Sequence, residues 1–234
     1  MKICAAQTKA VKGDVQKNIA HHLEFISRAV AANAAVIVFP ELSLTGYEPA
    51  IANDLAIYVN DARLDVFREK ADAHNMVISV GAPIQASGGV NIGMIVFQPR
   101  QPRFLYSKQF LHEDEYPFFV AGQGGPPIIV ASKMIAFAIC YELSIPAHAA
   151  NALKNGANVY VASVAKTTAG MEKAYQTLSS IAAKYGVTTL IGNSVGLCDN
   201  FESAGGSAAW DKNGNLLLQL NPTEEGLLTV EVDN

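Results

Sequence analysis

Charge is scarce in this chain of 234 residues: 16% are Asp, Glu, Lys or Arg, and the formal net charge is −4. A binder of nucleic acid or of an anionic membrane surface needs a basic face, so neither is expected as a partner. Long hydrophobic runs are missing too. The longest, Pro126–Ala131 continuing through Met134–Cys140, is broken by Ser132 and Lys133, well short of the ~20 apolar residues that span a bilayer. Cysteine is limited to Cys4, Cys140 and Cys198. An odd, widely spaced set is no disulfide framework, and no C-x-x-C pair offers a zinc knuckle, so a reducing cytoplasm is the expected compartment. The opening MKICAAQ lacks the apolar core of a secretory signal and reads as a first strand. Ten prolines and eighteen glycines are too few for collagen-like or low-complexity chains.

What is present is a chain half hydrophobic in composition, long enough to bury a substantial core. Val15, Ile19, Leu23, Ile26 and Val30 recur at helical spacing behind Asp14, a natural N-cap, and predict a helix up to Asn33. Ala35–Phe39 is a continuous apolar run suited to a strand buried on both faces. A second amphipathic helix is expected over Asp61–Asn75 and a buried strand over Val77–Ile84. Gly89–Phe110 reads as two antiparallel strands turning at Gln98–Pro102, and Ser132-Lys133 as the turn of another hairpin. The second half repeats the rhythm. Helices are expected at Pro146–Asn155 and Gly170–Tyr185, stopped by Gly156 and Gly186. Strands follow at Asn158–Val164 and Val187–Gly192, with a hairpin across Lys212-Asn213-Gly214-Asn215 and a last strand at Gly226–Val232. Helices and strands interleave without a linker, which predicts one α/β domain with mixed sheets over residues 1–234. AANAAVIVFPELS and LKNGANVYVASVA echo one another faintly, as two pseudo-twofold-related sheets would.

In α/β sheets, sites gather where strands end at their carboxyl side. Three such ends deliver a single reactive group straight after an apolar run: AVIVFP leads to Glu41, RFLYS to Lys108 and MIAFAI to Cys140. Together they offer a base, a cation for an oxyanion and a nucleophile. Each alone has a plainer reading. Cys140 is also a core thiol, Lys108 a strand-end charge, and Lys166, at another strand end, competes for the role of Lys108. A Cys–His pair remains open through His148 in the helix after Cys140, whereas His21 and His22 are expected on a helix surface.

Three segments then carry a resemblance: VFPELSLTGY (Val38–Tyr47), YSKQFLHEDEYPFFVAG (Tyr106–Gly122) and AICYELSIP (Ala138–Pro146). In this order they resemble the nitrilase superfamily of carbon–nitrogen hydrolases. KICAAQ at the start, NSVG at Asn193–Gly196, the G-x-S-x-x-x-D-x-x-G of Gly205–Gly214 and the closing EGLLTVEVD extend the likeness over essentially the whole chain. The resemblance implies a four-layer α-β-β-α sandwich with two mixed sheets and a catalytic Glu41, Lys108 and Cys140. Glu115, in K-x-x-L-x-x-x-E, is implied as a second glutamate that orders the site. It also implies a homodimer, a small-molecule amide substrate, and neither metal nor organic cofactor.

The sequence departs from the family pattern in places. Ser144 and Ala147 replace an arginine and a glutamate after the cysteine. Ile181-Ala182-Ala183-Lys184-Tyr185 lacks the usual arginine–glutamate helix signature, and Ala162–Lys166 the usual P-S-A. These changes concern the pocket wall and the pairing face. The expected chemistry is a Cys140 thioester, with Glu41 as base and Lys108 and the Tyr141 amide as oxyanion donors. Tyr141, where nitrilases carry tryptophan, favours amides over nitriles; nitrile hydrolysis and a non-catalytic binding protein are the alternatives. With Arg28, Arg63, Arg68, Arg100 and Arg103 on helices or a turn, the expected substrate is a small neutral amide, Lys166 permitting an acidic one.

Overall fold

The computed structural model describes residues 1–232; Asp233 and Asn234, which end the expected domain and the EGLLTVEVD segment, lie outside the described residues. The first half runs β1 (Lys2–Gln7), α1 (Val15–Ala31), β2 (Val36–Val38), α2 (Ala52–Leu55), α3 (Asp65–His74), β3 (Val77–Ala86), β4 (Gly89–Phe97) and β5 (Phe104–Ser107). The second runs β6 (Ile128–Val130), β7 (Lys133–Ile139), α4 (Pro146–Lys154), β8 (Val159–Val164), α5 (Thr168–Tyr185) and β9 (Thr188–Asn193). It closes with β10 (Val195–Cys198), β11 (Phe201–Ala204), β12 (Ala208–Trp210), β13 (Leu216–Gln219) and β14 (Gly226–Glu231).

Two six-stranded mixed sheets result. The first has the order β14-β1-β2-β3-β4-β5 and the second β13-β12-β9-β8-β7-β6, with β10-β11 as a separate hairpin. Parallel neighbours occupy the middle of each, β1-β2-β3 in one and β7-β8-β9 in the other. Their strands read as unbroken apolar runs because both faces are covered. Ile3, Val38, Ile135, Val159 and Leu190 fill the space between the sheets. Phe25, Ile26, Phe67 and Ile78 join α1 and α3 to the outer face of the first sheet, and Leu153, Tyr160, Leu178 and Ile181 join α4 and α5 to that of the second. This is the expected α-β-β-α sandwich. No helix among the described residues is long and apolar enough to cross a membrane.

Local chemistry explains the element ends and the differences from expectation. The Asp14 carboxylate accepts the Lys17 N–H at 3.0 Å and starts α1. Thr167 accepts the Gly170 N–H and starts α5 two residues before the expected Gly170. The expected helix over Asp61–Asn75 divides, because Asp61 caps a short 3₁₀ turn (Ala62–Leu64) before α3 begins. The β6–β7 turn is Ala131-Ser132, not Ser132-Lys133: Val130 pairs with Lys133, and both turn residues have positive φ, 48° and 66°, as a two-residue hairpin with matched twist requires. His22 is no surface residue. It is 1% exposed, on the stripe Val15, Ile19, Ile26, Ala29 that α1 turns to the sheet, and its ring stacks on Phe39 at 3.9 Å between centroids.

Candidate active site

Strands β2, β3 and β5 run in one direction in the first sheet, and β2 and β5 stop level with the middle of β3, near Ser79 and Ala82. Phe39 continues the ladder by donating to Ser79 O at 3.0 Å, and Pro40 then turns the chain so that Glu41 points inward, 2% exposed. The loop folds tightly back on β3, with Leu44 N–H bonded to Gly81 O at 2.9 Å. A Cβ on Gly81 would lie 2.5 Å from both Pro40 O and Leu42 N, so only glycine lets β3 approach the segment carrying Glu41. Behind it, His22 Nε2 lies 2.9 Å from the Ser43 hydroxyl, which also accepts the Gly81 N–H.

Lys108 follows β5 directly. Its N–H bonds Ile92 O at 2.9 Å and its carbonyl accepts Gly122 N–H at 2.7 Å, which locks the backbone. The side chain is wholly buried, with Nζ 2.8 Å from Glu41 Oε1 and 2.6 Å from Glu115 Oε1. Glu115 ends a 3₁₀ turn (Glu113–Glu115) whose other two acidic residues face solvent. Its Oε2 accepts the His112 N–H at 2.7 Å, and Tyr47 O–H donates to its Oε1 at 2.9 Å. Lys108 thus has two of its three N–H donors held by carboxylates, leaving the third to aim elsewhere.

The second sheet supplies the rest. Cys140 follows β7 at φ +44° and opens a 3₁₀ turn (Cys140–Ser144). Such a left-handed conformation costs a non-glycine residue about 1–2 kcal/mol, and lifts the side chain out of the strand's alternation. Cys140 is partly buried, its Sγ 3.9 Å from Ala165 O. Tyr141 sits in the first turn, where amides have no acceptor within the helix, its ring edge-on to His112 at 5.0 Å. After β8, the Lys166 backbone is clamped by Asn193, which accepts its N–H at 2.9 Å and donates to its carbonyl at 3.1 Å. Among the described residues, no hydrogen bond or ion pair engages Lys166 Nζ. Ser144 and Ala147 are exposed.

Burial raises Glu41 above the ordinary carboxylate range, against the pull of Lys108, and the Glu115 charge adds to the rise. Among the described residues Glu41 Oε2 has no hydrogen-bond partner, while the Cys140 thiol is among the groups acting on this carboxylate. Burial and then the Glu41 charge push the Cys140 thiol up to about 11, opposed by Lys166 and Lys108. Burial pulls Lys108 down, but Glu41 and the other anionic groups outweigh it, and it lies above the ordinary lysine range. The arrangement is a protonated thiol beside a destabilised carboxylate and a fixed ammonium.

The structure therefore brings Glu41, Lys108 and Glu115 into one ion cluster, with Cys140 beside it and Lys166 near Cys140. His148 goes elsewhere: its ring nitrogens meet Tyr106 and Tyr160, which removes the Cys–His alternative. Tyr47 and Glu142 were not picked out by sequence reasoning. Tyr47 closes the same motif as Glu41, and Glu142 follows Cys140 by two; a polar group in a segment otherwise apolar was the available signal. No group of three or more His, Cys, Asp or Glu among the described residues is placed to hold a metal ion.

Known proteins share this fold. An amidase from Nesterenkonia sp. AN1, solved with butyramide bound to a variant, superposes with a TM-score of 0.88 at 22% identity, covering 99% of this chain and 90% of that one. Another variant of it carries the acetamide moiety of fluoroacetamide on its active-site cysteine, at the same TM-score, identity and coverage. Among curated relatives, the hydrolase in the agr operon of Staphylococcus aureus is 24% identical over 100% of this chain and 91% of its own length. A glutamine-dependent NAD(+) synthetase of Aquifex aeolicus is 26% identical over 62% of this chain, but the match spans only 26% of that protein. Likenesses at such identity speak for the fold alone, whereas residues 2–234 match the carbon-nitrogen hydrolase family as a whole. The chain belongs to the carbon–nitrogen hydrolase family.

Proposed function

We propose that residues 1–234 form one hydrolase domain that cleaves the carbon–nitrogen bond of a small amide through a Cys140 thioester. The observation that carries this reading is the buried Glu41–Lys108–Glu115 cluster beside Cys140. With its thiol pushed up to about 11, Cys140 is overwhelmingly protonated at neutral pH, so attack needs a base. Glu41, whose own affinity for a proton is raised by burial, accepts the thiol proton as sulfur bonds to the amide carbon. The carbonyl oxygen becomes an oxyanion, stabilised by the open N–H of Lys108 and by the Tyr141 amide. The protonated Glu41 returns its proton to the amide nitrogen, the carbon–nitrogen bond breaks, and ammonia departs. Water then attacks the thioester, Glu41 taking its proton, and the carboxylic acid leaves as Cys140 is restored. Glu115 holds Lys108 in place from the other side.

The substrate proposed is a short neutral amide, in keeping with the butyramide held by the Nesterenkonia amidase. The Lys166 ammonium near Cys140, which no hydrogen bond or ion pair among the described residues engages, favours a second reading, an amide bearing a distal carboxylate. Ammonia release from butyramide, from its ω-carboxylated analogue and from butyronitrile decides. The neutral amide is expected to have the highest kcat/KM. A strong preference for the acid, lost in Lys166→Met, makes Lys166 the specificity residue, and release from the nitrile alone overturns the amide reading. We further propose a cytoplasmic homodimer. The shallow groove between α4 and α5, lined by Leu143, Pro146, Ile181 and Tyr185, is the candidate face, and sedimentation of the purified chain tests it.

A further inference from the structure

Glu142 is wholly buried and hydrogen-bonds neither Lys108 Nζ nor Cys140 Sγ, yet it accepts three hydrogen bonds, as many as Glu115 does. Its Oε1 accepts the Gln109 N–H at 2.7 Å. Its Oε2 accepts the Ile139 N–H at 2.7 Å and the Tyr106 O–H at 2.8 Å. Gln109 is the residue after Lys108, and Ile139 the residue before Cys140. One rigid three-atom group therefore ties the end of β5, in the first sheet, to the end of β7, in the second.

The groups behind it form a chain whose protons have one consistent order. Tyr106 donates to Glu142, so it accepts from His148 Nε2 at 2.7 Å; His148 Nδ1 is then free to accept from Tyr160 O–H at 2.8 Å. A neutral His148 satisfies every member, and burial lowers its affinity for a proton. Burying a carboxylate is costly unless donors surround it, and this one has two backbone amides and an anchored phenol. Apolar packing between the sheets is non-directional, whereas a charge-assisted bridge fixes the distance between the two segments that carry the reacting groups.

We propose that Glu142, anchored by Tyr106, His148 and Tyr160, is a positioning residue that sets the separation of Lys108 and Cys140 across the two sheets. The inference rests on the catalytic reading of those two residues. Glu142→Gln keeps the reach but loses one acceptor oxygen, so one of the two amides faces an NH₂ group. Glu142→Asp keeps charge and both oxygens but is too short for both amides. Tyr106→Phe leaves both amide bonds intact.

The test is steady-state kinetics together with iodoacetamide alkylation of Cys140 as a function of pH, a readout that needs no substrate. The charged groups facing the thiol are Glu41, Lys108, Glu115 and Lys166, none of them altered in these variants. Either Glu142 variant is expected to lose about 10²-fold in kcat, as a misplacement of about 1 Å does, with KM little changed. The pH midpoint of alkylation is expected to rise, because Lys108 no longer sits where it favours the thiolate. Tyr106→Phe should show the same changes at smaller amplitude. Unaltered kcat and midpoint in the Glu142 variants, or a loss of thermal stability alone, overturns the proposal. Should Glu142→Gln fail to fold, an unmoved midpoint in both Glu142→Asp and Tyr106→Phe overturns it equally. Alkylation of Cys140 in the unaltered protein no faster than that of Cys4 and Cys198 overturns the catalytic reading itself, and this inference with it.

Discussion

The two sheets bring opposite kinds of apparatus to the site. The first contributes Glu41, Lys108 and Glu115, each at most 2% exposed and each tied to another. The second contributes a strained, partly buried Cys140 and Lys166, whose ammonium has no partner among the described residues. A buried ion cluster cannot be altered piecemeal, since removing one member leaves an uncompensated charge. The side of the nucleophile is bounded by residues with fewer obligations, and it is there that this sequence departs from its family pattern, at Ala162–Lys166, Ser144 and Ala147. The first sheet thus carries the fixed electrostatics of the site, and the second carries the thiol and the less tightly bonded wall around it.

Three experiments break or sharpen that contrast. The largest effect belongs to the nucleophile: Cys140→Ala should lower turnover by about 10⁴-fold or more while the far-ultraviolet circular dichroism stays unchanged. In the unaltered chain Cys140 should be alkylated well before Cys4 and Cys198, which are buried. Near-normal turnover by Cys140→Ala would sink the reading.

Next come the two lysines, which the contrast sets apart. Lys108→Ala should cost roughly 10²–10³ in kcat and, by stranding Glu41 beside Glu115, about 3–5 kcal/mol of stability in denaturant titration. Lys166→Met should leave stability within about 0.5 kcal/mol and act chiefly on substrate preference. Equal stability losses for the two would erase the distinction drawn between the sheets.

The smallest effect probes the support of Glu41 from α1. Burial holds His22 down to about 3 against its ordinary 6.5, so the unfolded chain binds the extra proton between those values. The stabilisation is complete above pH 6.5 and is lost as pH falls toward 3. Between pH 7 and pH 4.5 the His22 contribution should shrink by about 2–3 kcal/mol. Urea unfolding of His22→Gln should show a correspondingly flatter pH dependence than the unaltered chain, and identical slopes would remove His22 from the account.

The alternation of helices and strands was legible in the sequence because periodicity reports which faces are covered, and both halves bury their strands on two sides. Glu41, Lys108 and Cys140 stood out for a related reason: each is a reactive group placed where an apolar strand ends. Periodicity misjudged His22, because a histidine on a helix reads as polar until Phe39 is seen beneath it. The β10–β11 hairpin escaped notice because β10 is four residues long and contains Gly196, and the outward-facing Leu197 is apolar, so no polar alternation marks a strand.

What the sequence determined by itself is local and periodic: element types, caps at Asp14 and Gly186, and the strand-end residues with their chemistry. Only the tertiary structure decided who meets whom. Lys108 and Glu41 are separated by 67 positions and Glu142 and Gln109 by 33, and nothing in spacing says that His148 turns to Tyr106 rather than to Cys140. Pairing of buried charges is settled by desolvation: a carboxylate or ammonium enclosed between two sheets must find a partner wherever packing permits one. That partner is chosen by the stacking of the sheets, which the local pattern of residues does not encode.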